Sequence, residues 1–222
     1  IKNKEDKVLG KAAQIAAACY NTAKESDLTL ITITGDIAYS GSKEQYELAE
    51  KLLKEIQSYI LDESGKSPEI IVTPGNHDCI LIPETLPRKL AIRNIVANPE
   101  EASDPEAIEI CTAVQENFFL FRKNITRAKP IFEDKLWCEY EIDISGNPIR
   151  ISAINAAWMS RIPETQGELV FPIDNYIEII EAPSNLRISL IHHPLNWYCQ
   201  ASYHPLKKTL RTHSNVILSG HE

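Results

Sequence analysis

The chain lacks several things that would each have pointed elsewhere. No apolar stretch is long enough to cross a membrane, and the first residues show no basic segment leading into an apolar one, the mark of a secretory leader. There is no Cys-x-x-Cys pair. The five cysteines (Cys19, Cys79, Cys111, Cys138 and Cys199) are odd in number and widely spaced, which argues against a zinc ribbon or a disulfide framework and leads us to expect reduced, mostly buried thiols in a cytoplasmic protein. Positive charge is scarce: 23 Lys and Arg stand against 31 Asp and Glu, a formal net charge of -8. That disfavours a broad basic surface for nucleic acid. It leaves a nucleic-acid substrate open, because bound divalent cations offset negative charge locally. Internal repeats and low-complexity tracts are absent too, and Asn124-Ile125-Thr126, without a leader, reads as a chance match to the glycosylation pattern.

What is there is a succession of short apolar runs separated by helical patterns. The 222 residues suffice for one large domain with a full core. Residues 5–24 carry an apolar stripe of helical spacing (Val8, Leu9, Ala12, Ile15, Ala16, Cys19). A β-branched run over 28–34 predicts a buried parallel strand. Ser42 and Gln45 form a capping-box pattern that opens a helix with the stripe Tyr46, Ala49, Leu52, Leu53, Ile56 and Tyr59. Gly65 and Pro68 close it before a strand over 69–73. Strand, helix, strand predicts a right-handed βαβ unit with parallel strands, and ligand sites of such sheets form at the carboxyl ends of the strands. Residues 83–129 show helical stripes and no strand signal, and are expected to form a helical insertion over one face. Its acidic tract, from Glu100 to Glu109, reads as a solvated face. A hairpin is expected over 136–144 and 149–155 around Ser145-Gly146-Asn147-Pro148. Beyond it follow a short helix near 174–181, a strand at 186–191, a helix near 205–212 and a strand at 215–218. One α/β domain is the expected architecture.

Four of the strands end in residues that bind metals. The first runs into Gly35-Asp36, the second into Gly75-Asn76-His77-Asp78, a later one into His192-His193, and the last into Gly220-His221. Each has a plainer reading taken alone: Gly-Asp as a turn, Asn76-His77 as a helix cap, His193 beside Pro194 as packing or support. Their coincidence at four strand ends outweighs those readings. A carboxylate, a neutral amide oxygen and two imidazoles suit zinc, manganese or iron better than a soft-sulfur site. Two cations ~3.5–4 Å apart would clamp the attacking and leaving oxygens of an in-line displacement and bring the pKa of a bound water from about 15.7 to about 7, giving hydroxide at neutral pH. His77, next to a ligand residue, is expected to face substrate, where it can protonate a leaving alkoxide or steady charge on a phosphoryl oxygen.

This set of residues resembles the calcineurin-like metallophosphoesterase superfamily, in the family's own order from Gly35 to His221. The resemblance implies a two-sheet β-sandwich flanked by helices with a dinuclear metal site. It implies Asp36 as the bridging ligand, Asn76, His192 and His221 as ligands of one metal, and His77 as the catalytic histidine. Two family features are missing: the opening Asp-x-His strand, and the last histidine of the closing Gly-His-x-His. The expectation is therefore a domain spanning 1–222, truncated at both ends relative to the family motifs, from a longer parent chain that supplies the rest. The chain by itself would offer a full ligand set for one of two divalent ions (Mn, Fe or Zn) and only Asp36 for its neighbour. Serine/threonine protein phosphatases place an aspartate where this chain has Tyr39. Purple acid phosphatases have a tyrosine ligand there but usually follow the asparagine-histidine pair with Glu rather than Asp78. Gly-Asp-x-x-Tyr-Ser-Gly resembles the bacterial phosphodiesterase and nuclease-like branch, with Tyr39 packing or touching substrate in preference to binding metal.

The expected function is metal-dependent hydrolysis of a phosphate ester, a phosphodiester in a nucleotide or nucleic acid foremost, by metal-activated hydroxide with His77 assisting the leaving group. A phosphomonoesterase shares the site and stands as an alternative. So does a catalytically weak scaffold or regulatory module of a larger protein, although such relatives usually lose ligands that this chain keeps. Lys207, Lys208, Arg211 and His213 form a small basic cluster that fits either a phosphate-rich ligand or a solvated helix face.

Overall fold

A computed structural model describes residues 1–221. The first strand, β1 (Leu30–Thr34), and β2 (Glu69–Thr73) are joined by the 22-residue helix α3 (Lys43–Ser64) and pair in parallel, Leu30 opposite Glu69 through Thr34 opposite Thr73. The α3 boundaries follow the sequence signals. Ser42 and Gln45 close a full capping box, and Gly65 ends the helix in the left-handed region at φ 71°. Its buried stripe continues to Ile60, whereas Tyr59 turns outward. Before β1, the expected single helix is three shorter pieces: a 3-10 segment at Lys7–Lys11, α1 (Ala12–Ala17) and α2 (Tyr20–Glu25). The break falls where the Ala18 and Cys19 amides turn back to the Ile15 and Ala16 carbonyls and the Cys19 thiol also bonds Ala16. Small alanines there bury too little surface to hold one straight axis, and Ala23 reaches the core only after the bend.

The second sheet has the order β3 (Pro130–Glu133), β4 (Trp137–Ile144), β5 (Asn147–Ile154), β6 (Leu186–Ile191), β7 (Val216–Ser219). The β3–β4 and β4–β5 pairs are antiparallel and the remainder parallel. Sequence periodicity misses β3, which is short, mostly exposed and begins at a proline. The β4–β5 turn is tighter than expected. Only Ser145 (φ 54°) and Gly146 (φ 82°) lie outside the ladder, and two successive positive φ values suit the twist of a hairpin. The helix near the last strand is also longer than the apolar pattern implied. Now α8 (Gln200–His213), it begins before Pro205, which it accommodates internally. The stretch at 174–181 divides into a 3-10 turn and α7 (Ile177–Glu181).

Alternation along β2 explains the layering. Ile71 faces the second sheet with Tyr140, Ile151, Ala153 and Leu190, while Ile70 and Val72 face the layer of α1, α3 and the helix over Glu116–Ile125. With both faces covered, β2 is wholly buried. The outer face of the second sheet, through Trp137, Ile154 and Ile191, packs on α8 and on residues of the 83–129 segment. That segment forms α4 (Leu86–Ala97), α5 (Pro105–Thr112) and α6 (Glu116–Ile125). Ile92, Ile95 and Cys111 of the first two join the outer cluster, whereas Phe118, Phe121 and Ile125 of α6 join the helical layer on β2. The result is a mixed α/β sandwich of two sheets with helices outside both.

Candidate metal and phosphoester site

The carboxyl ends of β1, β2, β6 and β7 meet at one end of the sandwich, and the four strand-end motifs meet with them. The Nε2 of His192 lies 3.1 Å from Oδ1 of Asn76, 3.1 Å from Nδ1 of His221 and 3.5 Å from Oδ2 of Asp36; His221 Nδ1 is 3.2 Å from the same Asn76 oxygen. Two of these residues come from the small sheet and two from the large one, so the cluster straddles the sandwich. His192 is buried, and its Nδ1–H donates to the Thr34 carbonyl at 2.6 Å. That bond leaves Nε2 as a lone pair aimed into the cluster. Burial lowers the His192 pKa to about 4, with the His193 and His221 rings adding to the effect against the pull of Asp36, so the ring is neutral near pH 7. Burial also pulls His221 below its ordinary value, with His193 next in effect.

This donor set fits a divalent cation. Three electron-pair donors, Asp36 Oδ2, Asn76 Oδ1 and His192 Nε2, converge on His221 Nδ1, whose N–H in one tautomer is the one proton these four atoms have to lie between them. Donor atoms facing one another repel unless a proton or a cation intervenes. Their 3.1–3.5 Å separations resemble the edges of a coordination shell with metal–ligand bonds of about 2.0–2.2 Å.

Close backbone approach makes the convergence possible. Gly35 has φ 100°, and a Cβ there would strike the His192 ring and the Gly75 backbone; a Cβ on Gly75 would strike the Asp36 carboxylate and lie 2.8 Å from His192 Cε1. Asp36 holds a positive φ of 59°, uncommon for a residue with a side chain. The buried Asp78 carboxylate stabilises this turn. It accepts from the amides of Asp36 (2.7 Å), Ala38 (2.9 Å) and Gly75 (2.9 Å) and from the Tyr46 hydroxyl (3.0 Å). Burial raises its pKa to about 6 despite those donors. Asp78 thus ties the β1 loop to the β2 loop, a task its place in the motif did not reveal.

His77 has partners of its own beside the cluster. Its backbone N–H donates to Asp36 Oδ1 at 3.0 Å, and its exposed ring sets Nδ1 2.9 Å from the Tyr39 carbonyl. The Tyr39 ring stacks on it, centroids 5.5 Å apart. Imidazole orientation therefore comes from the Tyr39 backbone, with no carboxylate partner among the described residues, and the residue lines the adjoining cleft.

Sequence reasoning left His193 open and missed Glu164. His193 is fully buried, with nitrogens of His192, His193 and His221 all within 4.8 Å of one another. Its Nε2 is 3.3 Å from Glu164 Oε2, which also lies 3.8 Å from His221 Nε2. Burial is the largest single influence and would raise the Glu164 carboxyl; the hydrogen bond and charge of His193, together with Ser160 and His221, outweigh it and hold the carboxyl below its ordinary value. Glu164 sits in an irregular loop after Ile162-Pro163, with no strand end or motif to single it out. The basic cluster is elsewhere. The α8 helix runs antiparallel to β6 and β7, so Arg211 and His213, at its carboxyl end, lie toward the opposite end of the sheet from the site; His213 pairs with Glu181 and Lys207 with the Tyr203 hydroxyl.

A family model for calcineurin-like phosphoesterase matches residues 9–222, and the chain belongs to that family. Its members are hydrolases acting on phosphate esters and generally bind divalent metals. The chain is also 26% identical, over 160 residues, to a protein of Pseudomonas savastanoi pv. phaseolicola (strain 1448A / Race 6) named 4-hydroxy-tetrahydrodipicolinate synthase; the match covers 65% of this chain and 54% of that one. The chain thus spans about half the length of this curated relative. Nothing in the fold or the site gives reason to carry that name over. Among the described residues, no helix is long and apolar enough to cross a membrane.

Proposed function

We propose that this chain is the hydrolytic domain of a divalent-metal-dependent phosphodiesterase of the bacterial nuclease-like branch, acting on a nucleotide or nucleic-acid ester. The observation that carries this is the convergence of Asp36, Asn76, His192 and His221 around one point, with His77 beside it on a separate hydrogen bond. In this reading, those four residues would hold a divalent metal (manganese, iron or zinc). When bound, the metal supplies Lewis acidity toward phosphoryl oxygen and a nucleophile at neutral pH. The protein's own part is positional. Asp78 fixes the Asp36 and Gly75 turns, Thr34 sets the His192 tautomer, and Tyr39 O holds the Nδ1–H of His77, so that the imidazolium form gives its Nε2 proton to the departing oxygen and is left as the neutral Nδ1–H ring. Residues 1–222 act as one domain, and 83–129 is a helical insertion within it. Free cysteines, three of them buried, support a reducing, cytoplasmic setting.

The test is metal analysis of the full-length protein with hydrolysis assays on matched mono- and diesters. His77→Ala is expected to lower kcat by roughly 10²–10⁴ while the metal stays bound; Asp36→Ala is expected to lose both. Full activity in His77→Ala would remove the proposed acid, and a metal-free, inactive parent would favour a scaffold. A preference for monoesters would reassign the substrate.

A further inference from the structure

Next to His77 lies a cleft of about 480 Å³ that the chemistry above does not use. His77 and Asn76 line it together with the aliphatic Ile80, Leu81, Ile82 and Ile162. No Lys, Arg, Asp or Glu is among its described lining residues. Ile82 is 75% exposed, Ile162 68% and Ile80 43%. Large aliphatic side chains clustered in the open around a concave surface mark a binding site more often than a solvated face.

The stretches carrying Ile80 and Ile162 are both held in place. The Ile80 amide donates to the Val114 carbonyl at 2.9 Å, and Cys79, buried beneath, bonds back to Asn76. On the other side, the buried Arg88 guanidinium grips the carbonyls of Ser160 (2.6 Å) and Trp158 (3.4 Å), just before Ile162, and Arg161 pairs with Glu168. A cleft whose backbone is fixed this way needs little reordering to receive a ligand.

We propose, resting on the metal-dependent phosphodiesterase reading but not on its nucleic-acid part, that this cleft receives the leaving group, which makes a diester of an uncharged, largely apolar alcohol, in place of nucleic acid, the preferred substrate. Continuity with His77 places the occupant on the side where the departing oxygen takes its proton. A chain of further phosphates would meet no Lys or Arg among the described lining residues, whereas an aryl or alkyl group would cover Ile80, Ile82 and Ile162 and remove their surface from water.

The experiment compares methyl 2-naphthyl phosphate with methyl phenyl phosphate, whose leaving groups have nearly equal acidity, on the full-length protein. The added ring is expected to raise kcat/KM roughly tenfold. An Ile82→Ser, Ile162→Ser double variant, altered only at exposed positions, is expected to bring kcat/KM for the two esters within about twofold of each other while its metal content stays unchanged. Equal kcat/KM for the two esters, or a preference that survives in the double variant, would overturn the inference. A parallel binding measurement uses benzylphosphonate and 2-naphthylmethylphosphonate, whose C–P bond resists hydrolysis. In a protein with no esterase activity, tighter naphthyl binding that the double variant abolishes keeps the cleft assignment and sinks the phosphodiesterase reading. Equal binding sinks the cleft assignment itself.

Discussion

Glycine matters at this site for its missing Cβ more than for its backbone freedom. Gly75 has an ordinary φ of -107°, yet a methyl there would lie 2.6 Å from the Asp36 amide nitrogen and strike its carboxylate. Gly75→Ala is therefore expected to displace Asp36, lowering metal occupancy by an order of magnitude or more, at a stability cost of about 1–3 kcal/mol for overpacking. Metal titration alongside urea unfolding checks both, and unchanged metal affinity would show that the turn relaxes freely. The cysteines give a second residue-scale prediction. Burial raises the Cys79 thiol to about 12 and the Cys111 thiol to about 11, so both stay protonated through the physiological range. In the native protein, iodoacetamide at pH 8 is expected to modify the half-buried Cys19 and Cys199 and spare Cys79, Cys111 and Cys138 until the chain unfolds. Mass spectrometry of peptides reads the pattern, and early labelling of Cys79 would contradict the packing beneath the cleft.

Among the elements, the second sheet depends on a buried ion pair. Arg187 on β6 and Glu139 on β4 are both almost fully buried and bonded to each other across β5. Arg187 also donates to the carbonyls of Ile179 (3.3 Å) and Ala182 (2.9 Å), tying α7 to the sheet, and Glu139 accepts from the Trp137 indole at 3.0 Å. Arg187→Met leaves a buried carboxylate without its cation and is expected to cost about 3–5 kcal/mol. Urea denaturation would measure it, and a loss under 1 kcal/mol would mean that Glu139 takes up a proton or water without strain. The pair was invisible in the sequence. Arg187 opens an apolar run and Glu139 sits in an alternating one, where each reads as an outward-facing polar residue. The α3 boundaries, by contrast, were legible to the residue, because Ser42, Gln45 and Gly65 act through local backbone geometry.

Across the whole molecule, the site depends on how the two sheets are set against each other, since Asp36 and Asn76 ride on one and His192 and His221 on the other. Ile71 fills the space between them, whereas Phe118 packs outside, between α6 and β2. Truncating either to alanine is expected to cost about 2–5 kcal/mol. Ile71→Ala should in addition weaken metal binding, because it loosens the spacing that brings the four donors together. Calorimetric titration of both variants separates the two effects. Equal metal affinities at equal destabilisation would mean that the loops, and not the sheet spacing, set the cluster.

The sequence by itself determined the parallel strand ends, the residue types they deliver and the family those residues resemble. Each of these is written in local apolar runs, glycine turns and short motifs that need no distant partner. Only the tertiary structure decided that His193 and Glu164 stand behind the cluster, that Asp78 ties two loops together, that Tyr39 orients His77 through its backbone, and that Ile162 closes a cleft opened by Ile82. These are contacts between residues 38 to 80 positions apart or set in irregular loops. No periodicity records such pairs, because packing between layers, and not spacing along the chain, brings them within reach.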